Sequence, residues 1–207
     1  MDTTITRNVY TYGELSTDAQ ERAIELLCGE AWEYLDSDMV SEEINGWFAF
    51  QASGNDAGCV TDKEIKNVYG VTIEWRVSYS QGDGAAIGGR LRREDAPNLA
   101  WPDGIDGVCT TITNLGWTRL DNIVVVNEDG DEDDIYNASQ ALWDAASSFL
   151  EALCRKLYRQ ATDLCETYTG KEYVLDMYEN CYGNQRRFTV DGEYEDWAFW
   201  SDEDGGK

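Results

Sequence analysis

The 207-residue sequence contains no histidine, two prolines and only 16 Lys and Arg residues. Without histidine, the chain lacks the side chain that most often serves as a general base near neutral pH and most often ligates transition metals. Ser-His-Asp and Cys-His nucleophile systems are thereby excluded, and so are His-metal centres. The shortage of cations removes the footprint by which proteins grip nucleic acid or an anionic membrane. No stretch approaches 18 apolar residues, so no membrane-spanning helix is expected. The first ten residues, MDTTITRNVY, hold no basic region followed by an apolar run, and no signal peptide is expected there.

What the sequence has in excess is acid: 41 Asp and Glu give a formal net charge of −25. It is not a disordered polyanion, because 42% of its residues are hydrophobic and eight are Trp. A compact chain of this length has a radius of gyration of about 17 Å, hence a diameter of roughly 43 Å. Duplex DNA carries one charge per ~1.7 Å of axis, so that length of DNA carries about 25. Solubility alone and adaptation to high salt are two readings of such a charge. A third reading is mimicry of nucleic acid, since a load this large costs stability by self-repulsion.

The six cysteines, Cys28, Cys59, Cys109, Cys154, Cys165 and Cys181, form no C-x-x-C pair. Their even number permits three disulfides, but with no secretory signal reduced thiols are the expectation. Cys28, Cys154 and Cys165 fall in helical patterns and read as small core residues.

The expected fold class is α+β, with helices packed on a small, mainly antiparallel sheet built around a central β-hairpin. Residues 1–207 read as a single acidic domain with an acidic tail at 193–207. An extended lead-in at 7–15 precedes a helix in which Thr17 and Gln20 have capping-box spacing. A second helix is predicted after Asp38, carrying Ile44, Trp47 and Phe48, and a short one from Thr61 to Gly70. Val71, Ile73, Trp75, Val77 and Tyr79 alternate with polar residues and predict a strand. The turn Gln81-Gly82-Asp83-Gly84 leads to a partner strand over 85–92, in which Gly88-Gly89 marks a bulge or close approach. Further strands are predicted at 108–113 and 123–126, followed by an exposed acidic loop, NEDGDEDD. Asn137 is the predicted cap of a long helix to about Tyr168, with Leu142, Ala146, Phe149, Leu153 and Leu157 on its apolar stripe. A helix over 171–182 and a short strand over 185–190 complete the reading.

Three blocks carry a resemblance: Tyr12-Gly13-Glu14-Leu15-Ser16, then Ser80-Gln81-Gly82-Asp83-Gly84-Ala85, then Phe188-Thr189-Val190-Asp191-Gly192. Together they resemble a widespread family of small acidic bacteriophage and prophage proteins with an ELS…SQGDGA…FTxDG pattern. The order and spacing fit most of the chain, and SQGDGA is the most specific piece. The family usually has an aromatic residue two places after that alanine, where this chain has Ile87. The resemblance implies a phage origin and the host-cell cytoplasm, and it implies no reaction.

On this reading the protein is expected to be a phage-encoded inhibitor of a host defence system, of the restriction or CRISPR kind, and no enzyme. It would act as an acidic mimic, without cofactor or metal, on the DNA- or RNA-binding surface of its partner. Neither nucleic acid nor membrane is expected to bind it directly. The first candidate surface is Glu30, Glu33, Asp36, Asp38, Glu42 and Glu43, because the first 60 residues hold 12 acids and two bases. The second is the run Glu128, Asp129, Asp131, Glu132, Asp133 and Asp134. Asp129, Asp131 and Asp133 have calcium-loop spacing, yet the sixth position is Asp134 rather than Gly and the twelfth Gln140 rather than Glu. Two alternatives stay open. One is a sponge for a signalling nucleotide, with Arg90, Arg92 and Arg93 as its cations; the other is an enzyme using carboxylates alone. The hairpin turn reads as scaffold, while Tyr194, Trp197, Phe199 and Trp200 in the tail can either anchor a partner or pack on the core.

Overall fold

Alternation from Val71 onward buries Val71 and Ile73 and exposes Glu74, which builds the first strand, β1 (Val71–Arg76). The computed structural model describes residues 8–78, 82–114, 117–180 and 187–193. After β1 come β2 (Gly84–Arg92), β3 (Gly107–Asn114), β4 (Trp117–Val126) and β5 (Glu132–Ile135). They form one antiparallel sheet in the order β1-β2-β3-β4-β5, a meander opened by the β1–β2 hairpin. The helices are α1 (Thr17–Glu33), α2 (Ser37–Ser53), α3 (Asp62–Tyr69), α4 (Gln140–Thr169) and α5 (Lys171–Asn180). The class is α+β, and no helix among the described residues is long and apolar enough to cross a membrane. Of the sequence expectations, Tyr79 to Gln81, Cys181, Tyr182, Gln185 and the aromatic tail lie outside the described residues.

The chain divides into two compact units, Met1–Leu35 with Cys165–Lys207, and Asp36–Leu164. In the first unit, Ala19, Ala23, Ile24 and Leu27 form the buried face of α1 and cluster with Val174, Tyr178 and Phe188. The predicted capping residue moves by one: Ser16 Oγ accepts from Ala19 N–H, and Thr17 is already helical. The expected extended lead-in is a 3-10 turn, Tyr12–Glu14, closed by a Thr11–Glu14 capping box. Among the described residues of the lead-in, only Tyr10 pairs as a strand residue, with Phe188. Of the strand expected over 185–190, Phe188 makes that bridge, and the chain then turns, because Gly192 N–H donates to Thr189 O and Gly192 takes φ 83°. A Cβ at Gly192 would overlap the Ala19 carbonyl oxygen, so this glycine is what lets the turn close on α1.

The second unit holds the sheet, α2, α3 and α4 up to Leu164. In α2, Val40, Ile44, Phe48 and Ala52 recur at four-residue spacing and are fully buried. The Phe48 and Tyr69 rings meet edge to face at 5.5 Å. A capping box between Thr61 and Glu64 starts α3, and Gly70 at φ 70° ends it. The Thr61 hydrogen bonds hold the Glu64 carboxyl below its ordinary range. The close approach expected at Gly88-Gly89 is present: Arg90 N–H donates to Gly70 O at 3.0 Å, and a Cβ on Gly89 would overlap that oxygen.

Three expectations in this unit shift. β1 ends at Arg76 rather than Tyr79, because Ser78 leaves the ladder to donate its N–H and hydroxyl to Asp83. The cap of α4 is Ser139, whose Oγ accepts from Leu142 N–H, rather than Asn137. The NEDGDEDD segment is a loop only in its first half. Asn127 Oδ1 accepts from the Asp129 and Asp131 amides, and Glu132–Ile135 then pairs with β4 as β5.

Candidate functional site

The six acids of the first candidate surface divide between the two units. Glu30 and Glu33 sit on the last turns of α1, while Asp36, Asp38, Glu42 and Glu43 belong to α2 and its cap. Glu33, Asp36 and Asp38 are exposed; Glu30, Glu42 and Glu43 are half-buried. Asp36 has a local task that the sequence reading missed. It is the N-cap of α2, and its Oδ1 accepts from the Asp38 and Met39 amides at 3.0 and 3.2 Å. Its signal was legible, because an Asp one residue before a helical run is a standard cap. From Ser37 to Ser53, α2 carries three acids and no Lys or Arg. Its N-terminal half also borders a cleft of about 370 Å³ with Glu74, Trp75 and Arg76, across which Trp75 Nε1 donates to Ser41 Oγ at 2.9 Å.

The second candidate run is less uniform than its composition. Glu128, Asp129, Asp131 and Asp133 are exposed. Glu132 and Asp134, which share one face of β5, are ion-paired instead. Arg90 reaches Glu132 at 2.8 Å and Asp134 at 3.2 Å, and Arg92 reaches Glu132 at 3.3 Å. Arg90 and Arg92 stand on β2, so these pairs span the width of β3 and β4. Between them on the same face lie small or short side chains: Cys109 opposite Arg90, Gly107 opposite Arg92, and Asn122 opposite Cys109. A long cation can lie across such a floor, with its stem on the sheet and its head at the carboxylates. This run is therefore not one exposed acidic loop, and two of its six acids are neutralised by the sheet's own arginines.

The same pairs bear on the cations proposed for a nucleotide sponge. Arg90 and Arg92 are engaged as described, and Arg93 donates to the Pro102 carbonyl and lies 5.9 Å from the Trp101 ring centroid. Calcium-type geometry is not assembled by Asp129, Asp131 and Asp133, since β5 begins between them at Glu132. Among the described residues, no group of three or more His, Cys, Asp or Glu side chains is placed to hold a metal ion.

Cys28, Cys59, Cys109, Cys154 and Cys165 are free thiols. Burial raises the thiols of Cys28, Cys109 and Cys154, and pushes Cys165 to about 11. Thiols held protonated in this way are poor nucleophiles. Cys154 Sγ lies 3.5 Å from Thr118 Oγ1, which also receives the Ile87 amide. This contact joins α4 to the sheet beside a cavity of about 600 Å³, one wall of which is the hairpin residues Asp83, Gly84 and Ala85. The hairpin, held by the Ser78 hydrogen bonds to Asp83, is also the edge of a cavity that no sequence pattern announced.

No protein-family model, curated protein or solved structure matches this chain.

Proposed function

We propose that the protein binds the basic nucleic-acid-binding surface of a partner protein through its acidic helical segment and so blocks access of DNA or RNA. The observation that carries this reading is the cap and first turn of α2, where Asp36 and Asp38 are exposed and the helix has no cation of its own to neutralise them. Carboxylates without a cation on their own helix project a field that steers a basic surface at long range. By analogy with small acidic phage proteins, the partner in this proposal is a host defence complex of the restriction or CRISPR kind. No chemistry is required, since occupying the channel is enough.

The test is capture of host proteins on the immobilised chain, followed by competition with duplex DNA and single-stranded RNA. A nucleic-acid-handling complex that is retained at about 50 mM salt, lost at about 500 mM and displaced by either polymer is the expected result. A captured partner that neither polymer displaces overturns the reading.

A further inference from the structure

The cavity between the β1–β2 hairpin end and α4 lies wholly within the second unit and plays no part in the acidic-surface reading. We infer that it is a binding site for a small organic cation with a flat apolar body. Its volume of about 600 Å³ falls within the ~300–1,000 Å³ in which drug-sized molecules are buried. Ala85, Leu120 and Leu150 supply its apolar lining, and Leu150 is 3% exposed. Tyr158 brings a half-buried aromatic ring to the wall. A ring of this kind favours a cation over its face and a flat body against it.

The sign of the ligand follows from the charges at the rim. Asp83 and Glu151 are carboxylates, and Arg155 is the one cation among the lining residues. Arg155 Nη2 is tied to Glu151 Oε2 at 2.9 Å in an exposed i,i+4 pair. Such a pair is weak, so it yields readily to a competing cation at Glu151. Lys156 and Arg159, although neighbours on α4, do not line the cavity. The net charge of −25 adds a background field that concentrates cations and repels anions at the mouth. An anionic nucleotide is disfavoured on both counts. Ser147 and Tyr158 contribute hydroxyls with which an uncharged edge of the ligand can bond.

Thioflavin T, a flat aromatic cation, is the probe, and anilinonaphthalene sulfonate is its anionic counterpart. Both are titrated by fluorescence into the full chain at about 0.5 M salt, where diffuse attraction to the acidic surface is screened. Saturable one-to-one binding of the cation, with none of the anion, is expected. Removing one charge near the site should change affinity about fivefold, in opposite directions for the two partners: Glu151→Gln weakens binding and Arg155→Gln tightens it. Glu128→Gln, which changes the net charge equally at a distant exposed turn, should leave it unchanged. Ser147→Trp fills the cavity and should abolish binding; should that variant fail to fold, Tyr158→Ala, at a half-buried position, should still lower affinity. The inference is overturned if the cation does not saturate at one site, if binding survives in the folded filling variant, or if Glu151→Gln and Glu128→Gln weaken it alike.

Discussion

Asp36 has two roles that a substitution can separate: it caps α2 and adds a charge to the acidic segment. Asp36→Ala removes both and should cost about 1 kcal/mol in chemical denaturation, the usual loss for an N-cap. Asp36→Ser removes the charge and keeps an acceptor for the Asp38 and Met39 amides, so its stability should stay within about 0.5 kcal/mol of the parent. If partner binding falls equally in the two variants, the charge rather than the cap is what the partner reads. Cys165 gives a residue-scale prediction of pH dependence. Its thiol ordinarily titrates near 9 and is pushed to about 11 by burial and by the Glu166 carboxylate. A group whose folded pKa is raised contributes fully below the unfolded value, and its contribution is lost as pH rises through the folded one. Melting temperature should therefore drop between pH 9 and 11. Cys165→Ala should flatten that drop, and an unchanged slope would mean that the other buried thiols dominate it.

At the scale of elements, β5 depends on the arginines that cross to it. It is four residues long and lies at the sheet edge, with acids at three of its four positions. The pairs of Arg90 with Glu132 and Asp134 offset the repulsion that this composition creates. Arg90→Gln should raise hydrogen exchange at 132–135 about fivefold relative to β1, which corresponds to about 1 kcal/mol for a partly exposed pair. Equal protection in parent and variant would show that ladder bonds alone hold the strand. This element also shows what the sequence could and could not reveal. Val71 to Trp75 was legible as a strand because a half-buried face imposes period two. Long helices were legible by their apolar stripes, and Gly70 and Gly89 by the backbone contacts that only glycine permits. β5 was not, because its stabilising partners lie in β2, 40 or more residues away, and acids in an edge strand have no apolar alternation to betray them. The cap positions slipped by one or two residues for a related reason: Ser16 and Thr17, like Asn137 and Ser139, are all competent acceptors, and backbone geometry chooses between them. The candidate surface was legible as composition. Its division between two units and the pairing of Glu132 and Asp134 were not, since both depend on contacts distant in sequence.

At the scale of the molecule, the question is whether the position of the charge matters or only its sum. Four Glu/Asp→Lys reversals each add two charges, taking the net charge from −25 to −17 wherever they are placed. Glu33 of α1 with Asp38, Glu42 and Glu43 of α2 form one set, with Asp36 left in place so that the cap survives. Asp103, Asp144, Asp163 and Glu172 form a second set outside the residues of the two candidate surfaces. Solubility and self-repulsion respond to the sum and should be alike in the two variants. Partner capture should be lost in the first set and retained in the second, if carboxylates on these helices stand in for phosphates. Both variants must first melt as the parent does, because lysines in the first turn of α2 or α5 oppose the helix dipole. The steepness of the salt dependence supplies a second reading of the same comparison. Each displaced phosphate-like contact lowers the slope of log affinity against log salt by about one unit. The first set should therefore flatten that slope, while the second leaves it intact. Equal loss of capture in both folded variants would assign the effect to bulk charge. Full retention in the first set would exclude the helical segment and transfer the test to Glu128, Asp129, Asp131 and Asp133, the exposed acids of the β4–β5 arm that form no ion pair with an arginine among the described residues.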